Sequence, residues 1–232
     1  GPVFDGPVFS AFRGVFVVLA SVAASAVSTA DAPFSSLSGV FLFDASSAAT
    51  TSNAPDASSS LWKEMVEMGW TALIIPEEYN GLNFGYVGLG QVLEEMGRKL
   101  TVSPMISTVL VSTTLISLSK NEVLKRKLFD EIMNGKKLCS LAHEESSHHN
   151  PNINSSIVSK NDEKFILNGK KRFVIDGSIS DYLIISANNE SSGTLELIIL
   201  DSKSKGITFN NKVHMDSKNY SDISFNNVEF SN

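Results

Sequence analysis

The chain has 232 residues, 19 Lys and Arg against 25 Asp and Glu for a formal net charge of −6, and an apolar fraction of 42%. That length and composition support a packed core in one large or two small domains, and the acidic balance excludes a sequence-independent nucleic-acid binder, which needs basic faces against phosphate. The single cysteine, Cys139, excludes a disulfide framework within the chain, favours a reduced, cytoplasmic compartment, and lies in an apolar run that reads as core rather than nucleophile.

Composition changes near residue 60. Residues 1–60 hold no Lys and one Arg, Arg13, are rich in Ala, Ser, Val and Phe, and open with Gly-Pro-Val-Phe at 1–4 and again at 6–9. From Leu61 onward Lys, Glu, Asn and Ile take over, so 1–60 is expected to be an atypical low-complexity segment outside the fold of the rest. Arg13 and the apolar run 14–24 resemble a signal peptide. Against that reading, no Met opens the chain, the positive region is one Arg, and Ser21 and Ser25 interrupt the run. The run is also short for a membrane span of about 20 residues, and no membrane association is expected.

Leu61, Trp62, Met65 and Met68 recur at helical spacing, with Ser60 as N-cap and Gly69 as stop. Pro76 to Gly85 reads as loop. Tyr86, Leu89, Leu93, Met96 and Leu100 predict a helix over 86–100. Ser103-Pro104 starts a third, with Ile106, Val109, Leu110 and Ile116 on its apolar side. Asn121 caps a fourth, in which Val123, Leu124, Leu128, Ile132 and Met133 face inward, and Gly135 ends it. After Lys137 the apolar period shortens from helix to strand. Runs at 138–143, 155–160, 164–167, 171–175, 182–187, 195–201, 206–213 and 223–230 read as strands, with Asn168-Gly169 as a hairpin turn. The fold class is therefore α+β: an N-terminal helical segment over 61–136, then an antiparallel β-barrel-like domain over 137–232.

Familiar chemical motifs are weak. His143, His148 and His149 lack the four-residue spacing of a helical zinc pair, so no metal is expected. Gly85, Gly88 and Gly90 do not form a dinucleotide turn after a strand, and neither a phosphate loop nor a serine nucleophile elbow is present. Glu77-Glu78 read as solvated carboxylates, and Glu94-Glu95 with Arg98 and Lys99 as a charged helix face.

Larger blocks are more informative. Leu61-Trp62-Lys63-Glu64-Met65, Ile75-Pro76-Glu77-Glu78-Tyr79-Asn80-Gly81 and Val92-Leu93-Glu94-Glu95-Met96-Gly97-Arg98 come first. Leu167-Asn168-Gly169-Lys170-Lys171-Arg172-Phe173-Val174-Ile175-Asp176-Gly177 follows, then Leu197-Ile198-Ile199-Leu200-Asp201 and Phe225-Asn226-Asn227-Val228. In this order, residues 61–232 resemble the acyl-CoA dehydrogenase family: the end of its N-terminal helical domain and its middle β-domain. The Phe-Val-Ile-Asp-Gly form resembles the branch acting on bulky acyl-CoAs. The resemblance implies FAD held between the β-domain and a C-terminal helical bundle, and α,β-desaturation of an acyl-CoA thioester. It also implies an electron-transfer flavoprotein or similar acceptor, and a homo- or hetero-oligomer.

By position, the resemblance puts cofactor contacts on Ser140, Ala142 and His143 of one strand and on Phe173, Val174 and Ile175 of another, with His149 toward the substrate. Several positions depart from the family pattern. His143-Glu144-Glu145 stands for Thr-Glu-Pro, His148-His149-Asn150 for Gly-Ser-Asp, and Phe173-Val174-Ile175 for Trp-x-Thr. The C-terminal bundle, which bears the catalytic Glu in most of the family, is expected to be absent. No substitute base is expected among Glu77, Glu78, Glu144 and Glu145. The missing hydroxyls keep open a non-catalytic, flavin-free subunit, and the signal-like run keeps open an exported β-rich binding protein.

Overall fold

In this computed structural model the residues described are 60–148, 154–161, 164–214 and 218–231. The low-complexity reading of 1–60 therefore lies almost wholly outside the described residues. Helix α1 (Ser60–Glu67) buries Trp62 and Met65, one turn apart, and begins at Ser60 itself. Two 3-10 turns follow, Trp70–Ala72 and Glu77–Tyr79, the second inside the expected loop. Helix α2 (Gly85–Arg98) buries Leu89 and Met96. Leu100, expected on its inner face, lies beyond the helix end at φ 51° and is 86% exposed. Arg98 pairs with Glu94 at 2.9 Å and Glu95 at 3.3 Å, the solvated face the spacing predicts.

The third helix begins as a π-helix, π1 (Met105–Ser112), and becomes α-helical only in α3 (Thr113–Ser117). Hydroxyls account for the wide turn. Ser112 Oγ donates to Ser107 O at 2.7 Å, and Thr113 Oγ1 to Thr108 O at 3.1 Å, each five residues back. Helix α4 (Glu122–Met133) is capped as expected, Asn121 Oδ1 accepting from Leu124 N at 3.0 Å. Its buried face is Leu128, Phe129 and Ile132. Val123, expected inside, is exposed, and Phe129 takes the core position against the Tyr79 ring, centroids 5.0 Å apart. Gly135 ends the helix region at φ 63°, where a Cβ would come within 2.5 Å of Val66.

Seven strands follow: β1 (Cys139–Ala142), β2 (Ile157–Asn161), β3 (Lys164–Ile175), β4 (Tyr182–Asn189), β5 (Leu195–Asp201), β6 (Ile207–Val213) and β7 (Asn219–Phe230). They form one half-barrel sheet in the order β1-β4-β2-β3-β7-β6, with β5 on β4. The expected antiparallel barrel is in fact mixed, because β1 and β2 both run parallel to β4. Asn168-Gly169 is not a hairpin turn. It sits inside the continuous strand β3, at a register shift against β7. Asn168 bonds Asn227 twice, at 2.8 and 3.1 Å, so its polar side chain closes a bulge instead of a turn. A Cβ at Gly169 would lie 2.2 Å from Ser156 Oγ, so the glycine answers a close approach.

Strand β4 separates two cores. Leu183, Ile185 and Ala187 face the barrel interior with Ala142, Val158, Leu167 and Val174. Ile184 faces the helices with Cys139, Ile116, Phe129 and Ile132. Burial on both faces explains the unbroken apolar run Leu183-Ile184-Ile185. Cys139 is free and buried, and burial pushes its thiol well up, consistent with a core role. Among the described residues no helix is long and apolar enough to cross a membrane.

Candidate functional site

Strand β1 reaches the candidate site held by π1 on one side. Thr108 Oγ1 donates to Cys139 O and accepts from Cys139 N, both at 3.1 Å. Ser140 and Ala142 alternate toward the barrel interior and are fully buried. The Ser140 hydroxyl meets Ser180 Oγ at 2.5 Å, and Ser180 donates to Asp176 O at 2.9 Å. The third position expected there, His143, lies just past the end of β1. It is buried, with Nδ1 2.9 Å from Ser186 Oγ.

The second expected segment owes its form to a bulge. The pairing of β3 with β7 shifts between Lys171 and Val174, and both of these residues are buried. Arg172 and Phe173 between them are therefore both pushed to the outer side, against simple alternation. Phe173 pays with φ 53°, unusual for an aromatic residue. Asp222 supports the bulge, accepting from Phe173 N at 3.3 Å and Lys212 Nζ at 2.7 Å. Burial pushes the Asp222 carboxyl up, but Lys212, the Phe173 amide and Arg172 outweigh it and hold it below its ordinary value. The Phe173 ring has the Arg172 guanidinium 5.1 Å and the Lys212 ammonium 5.8 Å from its centroid. Val174 turns into the barrel core, which leaves only its main chain for a ligand, and Ile175 is half-buried.

These segments meet. Arg172 N donates to Glu144 O at 2.6 Å, and Lys171 Nζ to His143 O at 3.2 Å. Lys171 is 0% exposed and also bonds Glu145 Oε1 at 2.7 Å, Asn154 Oδ1 at 3.1 Å and Ser186 Oγ at 3.1 Å. Glu145 further accepts from the Ser155 and Ser156 amides. Burial pushes its carboxyl up, but Lys171, Ser156 and the Ser155 amide outweigh that and set its pKa at about 2. For Lys171, burial pulls the ammonium down while Glu145 opposes it. The geometry, with every contact to an acceptor, is that of an ion pair.

Asp176 is a further buried carboxylate. Asp176 Oδ2 accepts from Ser107 Oγ of π1 at 2.6 Å. Burial raises its pKa from 3.8 to about 6, although Ser107 and Lys218 pull the other way. Lys171, Glu145, Ser186, Ser107 and Asp222 were not expected as site residues. The one signal available was a lysine at an inward position of a strand. His149 lies outside the described residues. Among those described, no group of three His, Cys, Asp or Glu could hold a metal ion. The residues at the seam fit a flavin through one aromatic face, the Phe173 ring, and two nearby cations. They do not fit through side-chain hydroxyls, because Ser140 is turned inward and position 175 is Ile.

Comparison with known proteins agrees with this division. Residues 44–136 match the model of the acyl-CoA dehydrogenase N-terminal domain, and residues 139–228 that of the middle domain. The first match begins inside the segment of atypical composition. A mitochondrial 2-methylacyl-CoA dehydrogenase of Solanum tuberosum is 29% identical over 157 residues, covering 64% of this chain and 35% of its own. The structure of a glutaryl-coenzyme A dehydrogenase in complex with glutaryl-CoA aligns with TM-score 0.66 at 22% identity, covering 78% of this chain and 48% of its own. The ChsE4-ChsE5 complex from Mycobacterium tuberculosis aligns at 0.64 and 17% identity, covering 74% and 45%. The chain thus spans between about a third and a half of the length of these relatives.

Proposed function

We propose, from the premise that this chain belongs to the acyl-CoA dehydrogenase family, that it forms the N-terminal and middle part of an FAD-dependent enzyme that desaturates an acyl-CoA thioester. The observation that carries the reading is the bond from Arg172 N to Glu144 O, which joins the two segments expected to contact the flavin. When bound, FAD supplies the hydride acceptor for oxidation of the Cα–Cβ bond. The chain's own residues bind and orient. Phe173 offers a ring face set outward by the bulge. Lys171 holds the His143 carbonyl in place. Arg172 and Lys212 put positive charge beside that face, which favours a ligand ring carrying negative charge.

The proton at Cα needs a base poised near neutral pH. Glu145 is not one, since its carboxylate is committed to Lys171, Ser155 and Ser156. Glu77 and Glu78 are exposed on a 3-10 turn. In keeping with the family resemblance, we place the base outside residues 60–231. An electron-transfer flavoprotein as acceptor, an oligomer and a cytoplasmic setting belong to the same proposal. A relative solved as a two-component complex supports the oligomer.

A second reading, a flavin-free subunit of a heteromeric dehydrogenase, is favoured by the lack of side-chain hydroxyls at positions 143 and 175, which are His and Ile. One experiment separates the two. Purified chain is mixed with FAD, desalted and scanned in the visible. Retained flavin absorbance supports the cradle, and none retained at any protein concentration refutes it for this chain.

A further inference from the structure

Two neighbouring residues of π1 reach both segments of the candidate site. Thr108 Oγ1 accepts from Cys139 N and donates to Cys139 O, both at 3.1 Å. Strand β1 stands at the end of the strand order, and this one hydroxyl serves its open edge as a neighbouring strand would. Cys139 opens the strand that leads to Ser140, Ala142 and His143. Ser107 Oγ donates to Asp176 Oδ2 at 2.6 Å, and a longer contact of the same hydroxyl goes to Pro104 O at 3.1 Å. Asp176 directly follows Phe173-Val174-Ile175. It sits at φ 56°, its N–H donates to Asn219 O at 2.9 Å and its carbonyl accepts from Ser180 N at 3.1 Å, so its placement fixes the end of that segment. The wide turn is held at the same two residues. Ser112 Oγ donates to Ser107 O at 2.7 Å and Thr113 Oγ1 to Thr108 O at 3.1 Å. All four hydroxyl residues are buried, and a π turn is frequently a functional feature.

We propose that Ser107 and Thr108 are positioning residues, and that the π turn is a clamp setting the two segments expected to contact the flavin against each other. The use of the clamp rests on the flavin reading above. Neither hydroxyl is offered to a ligand; each acts through the segment it holds. The clamp has separable arms. Thr108 holds 139–143 through the main chain of Cys139, and Ser107 holds 172–177 through the carboxyl of Asp176. Ser112 and Thr113 hold both arms at once, because they fix the turn from which the two project. Loss of one arm should therefore loosen one segment, and loss of the turn should loosen both. Residues serving only overall stability would loosen the edge strand β6 as well.

The test is amide hydrogen exchange, read by mass spectrometry on the chain without FAD, in Ser107→Ala, Thr108→Val and the double variant Ser112→Ala/Thr113→Val. Thr108→Val should speed exchange in 139–143 by about fivefold or more, as loss of one buried hydrogen bond does, and leave 172–177 unchanged. Ser107→Ala should do the reverse. The double variant should speed both, and Thr108→Ser, which keeps the hydroxyl, should restore wild-type exchange in 139–143. If the double variant does not fold, the single variants carry the test. Exchange that rises equally in both segments and in β6 in either single variant overturns the clamp, as does exchange that stays at the wild-type rate in both. FAD binding is read separately from the visible spectrum, where each single variant should raise the dissociation constant about fivefold or more. Segment-specific exchange in a chain that retains no flavin supports the clamp and counts against the flavin reading. A wild-type chain that retains flavin, with single variants that bind it as tightly, overturns the clamp and leaves the flavin reading standing.

Discussion

Asp176→Asn should stabilise the chain at neutral pH. Asp176 is 4% exposed and accepts from Ser107 Oγ, and its pKa is raised from 3.8 to about 6, chiefly by burial. A raised carboxyl binds its proton more tightly in the folded chain than in the unfolded one. The stability it contributes is complete below the unfolded value and is lost as pH rises through the folded one. At about 1.4 kcal/mol per pKa unit, ionising Asp176 inside the fold costs about 3 kcal/mol above pH 7. Asn keeps the acceptor for Ser107 and cannot ionise. Urea unfolding of both chains across the pH range measures the difference directly. A constant offset belongs to the amide; the titration appears as growth of the variant's advantage by about 2 kcal/mol from about pH 4.5 to about pH 7.5. Glu145, whose pKa lies at about 2, acts in the opposite direction and at lower pH, and it cancels in the comparison. A variant-minus-wild-type difference that does not change with pH would refute the reasoning.

Lys171→Met leaves the Glu145 charge buried without its cation and should cost about 3–5 kcal/mol by denaturant unfolding. Adding Glu145→Gln should recover much of that loss; an additive double variant would show that the two groups do not interact. Gly135→Ala meets both a positive φ and a Cβ contact of 2.5 Å with Val66, so a loss of about 1–3 kcal/mol is expected. An unchanged melting temperature would mean that the α1–α4 corner relaxes freely. Asn121→Ala removes the acceptor for Leu124 N and should cost about 1 kcal/mol, read as a matching drop in urea midpoint.

Much of the architecture was legible locally. Trp62 and Met65 mark α1 by spacing, Asn121 marks the start of α4 by its capping chemistry, and alternation marks the strands. Local signals misled where a distant partner decided the outcome. Asn168-Gly169 has the chemistry of a turn, but Asn227, 59 residues away, bonds Asn168 and β3 runs on through the pair at a bulge. Val123 has the hydropathy of a core residue, but the packed face of α4 is the one that meets Tyr79 through Phe129. At the site, the resemblance points to His143 and Phe173, which lie beside the seam. It also named Ser140 and Val174, whose side chains point into the barrel.

Taken by itself, the amino-acid sequence determined the helix-then-strand order and the family resemblance, because both are written in residues adjacent along the chain. Tertiary structure alone decided which side chains face the seam. The bulge between Lys171 and Val174 exists only in register with β7. The charge of Lys171 is balanced by Glu145 at 2.7 Å across a 26-residue separation, and Asp176 is raised because the fold buries it, against the pull of its hydrogen bond from Ser107, 69 residues earlier. Desolvation and strand register depend on what the rest of the fold brings close, and no local pattern of hydropathy encodes that.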